Sequence, residues 1–143
     1  MSRAKRKPLP EEPVLADIES LTHEGRGLAR VEGKAVFVDG ALAGERVRFR
    51  YTRLQRHFDE GRVVEVLSPS PQRVTARCPH FSLCGGCSLQ HQDPAAQIAM
   101  KQEIVADVLR RIGGVEPERW LLPLAAGHWG YRRKARLGVR YVA

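Results

Sequence analysis

The sequence predicts an α+β fold in which a small N-terminal OB-like β-barrel precedes an irregular cysteine-rich loop, one helix and a final strand. Residues 13–69 contain short apolar–polar alternations separated by glycine- and proline-containing turns, as in small all-β domains. Three cysteines lie close together between residues 78 and 87, within a segment that has no regular periodicity. Apolar residues at helical spacing begin after Asp93.

Residues 1–12 form a basic tail with a hinge rich in proline and glutamate, and we expect a solvated arm. The strands of the barrel are predicted at residues 14–21, 28–31, 34–38, 45–51 and 62–67. Glu32-Gly33 separates two of these strands as a two-residue hairpin turn. Several short strands at this spacing favour a small closed barrel.

The strand 45–51 has two different faces. Apolar residues at 47, 49 and 51 alternate with Arg46, Arg48 and Arg50, so the three guanidinium groups share one face. Like charges in a row repel one another unless a polyanion meets them. Nucleic-acid contact is the favoured interpretation, and a solvent-facing strand with hydrated arginines is the alternative.

Residues 70–92 contain the Cys-x5-Cys-x2-Cys pattern of Cys78, Cys84 and Cys87, which is too compact and too odd in number for a disulfide framework. The two-residue gap, filled by two glycines, lets both flanking sulfurs approach one metal centre. Three thiolates with one remote ligand suit a four-iron cluster. His91 offers a Cys3His zinc site instead, and the spacing leaves both metals open.

A helix is predicted from Asp93 to Ile112, with Asp93 as its N-cap, Pro94 in its first turn and glycines at its end. One face of this helix is expected to pack in the core. The members of that face are Ile98, Val105, Val108, Leu109 and Ile112.

The last predicted element is a strand over residues 131–141. Its polar face carries four basic residues: Arg132, Lys134, Arg136 and Arg140. A single strand is not stable alone, so we expect residues 93–143 to be the start of a truncated α/β domain and the chain to be a fragment.

The net charge of +8 and the pI of about 10.0 favour a polyanionic partner, nucleic acid being the most common. The basic N-terminus is followed by Pro8 rather than by an apolar stretch, and no run approaches the length of a membrane span. We therefore expect a cytoplasmic protein that does not interact with membranes.

The cysteine segment resembles a known cluster loop. Arg77-Cys-Pro-His-Phe81, Cys84-Gly-Gly-Cys87 and Leu89-Gln-His91 are similar to the corresponding motifs of iron–sulfur 23S ribosomal RNA uracil-5-methyltransferases. Residues 14–67, with Glu24-Gly-Arg-Gly-Leu-Ala-Arg30, look like the TRAM domain that opens those enzymes. The stretch from Trp129 to Arg136 looks like the start of their central RNA-binding domain.

The resemblance implies a [4Fe-4S] cluster held by Cys78, Cys84 and Cys87, with a fourth cysteine expected beyond Ala143. It also implies methyl transfer from S-adenosylmethionine to carbon-5 of a uracil in 23S ribosomal RNA. The catalytic residues and the S-adenosylmethionine site are expected beyond Ala143. Six basic residues would hold RNA phosphates: Arg46, Arg48, Arg50, Arg132, Lys134 and Arg136.

A monomer without a protein partner is expected. The alternative function is a stand-alone, zinc-binding RNA-binding module without catalytic activity. Metal content distinguishes the two, because an iron–sulfur protein is brown and contains acid-labile sulfide, whereas a zinc module is colourless.

Overall fold

The computed structural model describes residues 8–136 and residue 138, and it has the predicted α+β composition. Six strands precede two helices along the chain. The strands are β1 (Val14–Asp17), β2 (Ser20–Leu21), β3 (Gly27–Val31), β4 (Lys34–Asp39), β5 (Arg46–Leu54) and β6 (Phe58–Ser68). The helices are α1 (Phe81–Cys84) and α2 (Pro94–Val108), and a π-helical turn, Leu109–Gly113, continues α2.

The six strands form one mixed sheet with the order β1-β5-β6-β4-β3-β2. All neighbours are antiparallel except β4 and β6, which run parallel. Within the described residues the end strands β1 and β2 do not pair with each other, so the prediction of a closed barrel is wrong in this respect. The predicted strand 14–21 breaks between them, where Ile18 N–H donates to the Glu45 carbonyl and Glu19 N–H donates to the Leu28 carbonyl, each at 2.8 Å. This segment therefore crosses from one open edge of the curved sheet to the other.

A small apolar core fills the curve of the sheet. Val36, Val38, Val47 and Phe49 are fully buried, because inward-facing positions on a strand recur at every second residue. Smaller side chains complete the core at Ala16, Ile18, Ala29 and Ala41. The core thus contains aliphatic side chains and one buried phenylalanine.

Two glycines show how the local chemistry shapes the sheet. The β3–β4 turn has positive φ at both central residues, 51° at Glu32 and 80° at Gly33, which matches the predicted two-residue hairpin. Gly61 lies in β6 beneath the ring of Phe49, and a Cβ at this position would overlap that ring. The close approach of β6 to Phe49 therefore requires glycine.

The structure confirms the N-terminus of the predicted helix but not its buried face. The Asp93 carboxylate accepts hydrogen bonds from the N–H groups of Ala95 and Ala96 at 2.9 and 3.1 Å. Helix α2 has no buried residue, and the exposed fractions of Val105, Val108 and Ile112 are 49%, 45% and 82%. The expectation of a core-facing stripe is wrong for the described residues, because no strand of the sheet packs extensively against α2.

Residues 114–136 contain no helix or strand. The predicted strand 131–141 is therefore not formed over residues 131–136, since no neighbouring strand supplies its backbone hydrogen bonds. Residues 137 and 139–141 of that prediction lie outside the described residues. Among the residues that are described, no helix has the length and apolarity needed to cross a membrane.

Candidate metal centre and nucleic-acid interface

The cysteine segment is fastened to the sheet by backbone hydrogen bonds on both of its sides. Val74 N–H donates to the His91 carbonyl at 2.9 Å, and Asp93 N–H donates to the Gln72 carbonyl at 2.8 Å. Arg73 and Gln92 form an isolated antiparallel bridge between these two contacts. The two ends of the segment are thus held together before the cysteines begin.

A buried ion pair joins this base to the sheet. The Glu45 side chain is fully buried and accepts hydrogen bonds from Arg73 Nε and Nη2 at 2.5 and 2.7 Å. It also accepts from the N–H groups of Leu42 and Ser70 at 2.8 and 3.1 Å. Burial alone would raise the pKa of the Glu45 carboxyl, but the Arg73 and backbone hydrogen bonds outweigh it and lower that pKa. The ionised Glu45 carboxylate therefore holds the base of the cysteine segment against the sheet.

His91 lies near the Glu45–Arg73 pair at the base of the cysteine segment and is 3% exposed. Its ring packs against that of Phe81, with 5.1 Å between centroids. Neither ring nitrogen has a hydrogen-bond partner of ordinary geometry among the described residues, although the Ala41 backbone is near enough to oppose part of the pKa shift. Burial, and after it the charge of Arg73, lowers the pKa of His91 to about 4. The imidazole is thus neutral and belongs to the packed base of the loop.

The three cysteines lie on the outer part of the loop. Cys84 is the last residue of α1, and Gly85 follows it with φ of 69°, which reverses the chain. Cys78 is half-buried, whereas Cys84 and Cys87 are exposed. Gln90 contacts the first and the last cysteine of the motif. Its Oε1 accepts from Cys78 N–H and its Nε2 donates to Cys87 Sγ, each at 3.1 Å.

The donor set can be tested against the two predicted metals. Three thiols on one short loop, two of them exposed beside paired glycines, fit the chemistry of an iron–sulfur cluster as three of its four ligands. The described residues contain no group of three or more histidine, cysteine or carboxylate side chains drawn together as a metal site. Neither the predicted three-thiol set nor the predicted Cys3His set is therefore assembled around a common point among these residues.

The predicted basic face of β5 is present, but carboxylates share it. Arg46, Arg48 and Arg50 are exposed, while the intervening Val47 and Phe49 are buried. Arg46 Nε lies 3.3 Å from Asp17 on β1, and Arg48 Nη1 lies 2.8 Å from Glu65 on β6. Sequence reasoning missed both carboxylates, because they come from strands whose registers were not predicted.

The third arginine of this face has a different neighbour. Arg50 lies directly opposite Arg62 of β6, which is also exposed. Two like charges at opposite positions of a sheet destabilise each other unless an anion lies between them. Arg62 also lies opposite Asp39 of β4, but that carboxylate pairs with Arg26 at 2.7 Å, and among the described residues neither Arg50 nor Arg62 forms an ion pair.

The second predicted basic group lies in an extended segment. Arg132, Lys134 and Arg136 are exposed without strand structure. Arg132 also lines a cleft of about 1170 Å³ between the cysteine loop, the start of α2 and residues 126–132. In this cleft the Arg77 guanidinium stands 5.1 Å from the centroid of the Trp129 ring, a cation–π contact. The cleft thus combines cationic and aromatic groups, the combination that single-stranded nucleic acids favour.

Most of the sheet is similar to a known family. Residues 12–64 match the family model of the TRAM domain. That range includes all of β1 to β5 and the first part of β6, together with every residue of the apolar core.

The similarity to individual proteins extends beyond the sheet. The chain is 63% identical over 139 residues to the 23S rRNA (uracil(1939)-C(5))-methyltransferase RlmD of Nitrosococcus oceani, a match that covers 96% of the chain and 31% of that relative. It is 59% identical to the protein of the same name from Methylococcus capsulatus, over 99% of the chain and 32% of the relative. The identity to the Alcanivorax borkumensis relative of that name is 54%, over 96% and 31%. The chain spans about a third of the length of these relatives.

Proposed function

We propose that this chain, which matches the TRAM family model over residues 12–64 and 23S rRNA uracil-C5 methyltransferases over about a third of their length, is the RNA-holding and cluster-holding segment of such an enzyme. The observation that carries the proposal is the high identity along nearly the whole chain. The complete protein would transfer a methyl group from S-adenosylmethionine to carbon-5 of a uracil in 23S ribosomal RNA. It would work in the cytoplasm as a monomer.

The basic residues have the role of binding the RNA backbone. Exposed arginines on β5 and the cationic lining of the cleft support this role, because phosphate contacts position an RNA without reading its sequence. Trp129, at 51% exposure, adds a ring on which an unstacked base can lie. The six basic residues named from the sequence remain the proposed RNA contacts.

The thiols of Cys78, Cys84 and Cys87 would hold three corners of a [4Fe-4S] cluster. The proposed role of the cluster is structural, since it would tie the exposed outer loop into one rigid piece. The base of that loop is already fastened to the TRAM sheet by Glu45 and Arg73. The cluster would thereby fix the position of the TRAM domain relative to the part of the protein that follows α2.

The test is methyl transfer by the complete protein to 23S ribosomal RNA from cells that lack this modification. The RNA is incubated with labelled S-adenosylmethionine and digested, and the nucleosides are identified by mass spectrometry. We expect 5-methyluridine, and its absence would overturn the proposed activity. Iron and acid-labile sulfide are measured in the same anaerobic preparation. Iron with sulfide supports the cluster, whereas one zinc without sulfide would indicate the zinc-binding module.

A further inference from the structure

Gln90 is the one side chain among the described residues that hydrogen-bonds to two of the three cysteines. Its Oε1 accepts from the backbone N–H of Cys78, and its Nε2 donates to Sγ of Cys87, both at 3.1 Å. These are the first and the last cysteines of the motif. A side-chain amide is suited to this position because it offers an acceptor and a donor side by side.

The backbone on which Gln90 stands is itself fixed. The Leu89 carbonyl accepts from Gln97 Nε2 at 2.9 Å and from Gln92 N–H at 3.0 Å. The Leu89 side chain lies against the turn at Gly25, where a Cβ would come within 2.9 Å of Leu89 Cδ2. Gln90 therefore reaches the cysteines from a base that the TRAM sheet and α2 hold on both sides.

We propose that Gln90 is a positioning residue for the thiolate site, which ties the Cys78 backbone to the Cys87 sulfur so that the loop can close around a metal. The inference rests on the proposed function insofar as the natural occupant is an iron–sulfur cluster. An N–H donor directed at Sγ orients the sulfur, and the contact becomes a stronger, charge-assisted hydrogen bond once the sulfur binds a metal. Residues that orient metal ligands in this way are worth about 10- to 100-fold in metal affinity.

The chain provides a matched control. Gln97 has the same side chain and supports the same loop, but its amide donates to the carbonyls of Leu89 and Gln92 and contacts no cysteine among the described residues. Gln90→Leu and Gln97→Leu therefore remove equal side-chain amides, the first within the cysteine loop and the second on α2, from which it supports that loop. Only the first removes contacts to the cysteines.

The experiment uses the complete protein with its metal removed, so that it does not depend on the cluster. Cobalt(II) is titrated as the probe, and thiolate-to-cobalt absorption reports binding. Hydrogen exchange of the Cys78 amide is followed by mass spectrometry. For Gln90→Leu we expect about tenfold or more weaker cobalt binding and several-fold faster exchange at Cys78. For Gln97→Leu we expect cobalt affinity within about threefold of the original.

Equal cobalt affinities in the Gln90→Leu and original proteins would overturn the proposal, and so would unchanged exchange at Cys78. A larger loss of cobalt affinity in Gln97→Leu than in Gln90→Leu would also overturn it, because loop support alone would then explain the effect. Iron and sulfide content is measured separately on the untreated protein. A protein without iron would contradict the proposed cluster but would leave the cobalt and exchange results to decide the role of Gln90.

Discussion

At the scale of single residues, the buried carboxylate of Glu45 is expected to contribute strongly to stability. Its carboxylate is fully buried and accepts from Arg73 and two backbone N–H groups. Glu45→Gln keeps the shape but leaves the mostly buried Arg73 without its counter-charge, so we expect the free energy of unfolding to fall by about 3 kcal/mol. Urea denaturation of the metal-free chain measures this change.

The control for Glu45 is the carboxylate of an exposed pair. Glu65→Gln removes the partner of Arg48, and both side chains of that pair are about half exposed, at 51% and 52%. We expect a loss of at most about 0.5 kcal/mol, because water already screens the two charges. Equal losses in the two variants would contradict the view that the Glu45–Arg73 pair fastens the cysteine segment.

His91 makes the stability depend on pH. Its folded-state pKa of about 4 lies below the ordinary value of 6.5, so the unfolded chain takes up a proton first as the pH falls. Above pH 6.5 the neutral His91 makes its full contribution to the free energy of unfolding, and this contribution is lost progressively as the pH falls towards 4. Between about pH 7.5 and 5 we expect a loss of about 2 kcal/mol in the free energy of unfolding. His91→Gln should abolish that slope.

The charged groups around the imidazole are Arg73, which lowers its pKa, and Glu45, which opposes this effect. Urea midpoints of both proteins at several pH values between about 7.5 and 5 make the measurement, since this window lies above the range in which ordinary carboxyl groups titrate. If the urea midpoints of the original protein and of His91→Gln changed with pH in parallel, burial would not be keeping His91 neutral in the folded protein.

At the scale of elements, the contact between the cysteine loop and the β2–β3 turn can be isolated with two glycines. Gly25 and Gly33 have nearly equal φ values of 81° and 80°, but Leu89 lies against Gly25, whereas nothing lies within 4 Å of a Cβ at Gly33. Gly33→Ala should therefore cost about 1 kcal/mol of backbone strain. Gly25→Ala should cost about 1–2 kcal/mol more, because the loop must also move.

A double-mutant cycle checks this contact. In a Leu89→Ala background the two glycine substitutions should cost the same, because the methyl group at residue 25 then has room. Thermal or urea unfolding of the single and double variants provides the comparison. If the excess cost at Gly25 persists without Leu89, it arises in the turn itself and not from the docked loop.

The sequence was most informative where an element is determined by its own residues. The alternation in β5, the hairpin turn at Glu32 and the Asp93 cap depend on neighbours along the chain, and the structure has all three. The parallel pairing of β4 with β6 depends on contacts distant in sequence, and it starts at Phe58, before the predicted residue 62. The Glu45–Arg73 pair was missed for the same reason, since its members are 28 positions apart. Helical spacing in α2 correctly indicated a helix, but periodicity does not reveal whether another element covers the apolar face.

At the scale of the whole molecule, the distribution of positive charge matters more than its total. Reversing Arg46, Arg48 and Arg50 to glutamate should weaken RNA binding and flatten its salt dependence, because counterions are released where arginine meets phosphate. Reversing Arg110, Arg111 and Arg119 changes the net charge equally at exposed positions outside the sheet. Filter binding of the complete protein at several salt concentrations compares the two. Equal losses of RNA affinity in the two triple variants would mean that RNA binding depends on the net charge and not on the position of the arginines.

The sheet registers lead to a sharper prediction within the basic face. Arg46 and Arg48 already have Asp17 and Glu65 as partners, whereas Arg50 and Arg62 face each other as like charges. An RNA phosphate bound between Arg50 and Arg62 relieves the repulsion between these two arginines. A phosphate bound at Arg46 or Arg48 must instead compete with the carboxylate that already pairs with that arginine. Arg50→Gln with Arg62→Gln should therefore reduce RNA affinity more than Arg46→Gln with Arg48→Gln, although each variant removes two charges. The dependence of log affinity on log salt should become shallower by about 0.7 for each single-stranded phosphate that the variant no longer binds. A larger effect in the Arg46 and Arg48 variant would put the RNA at the other end of β5, where the bound phosphates would have to displace Asp17 and Glu65.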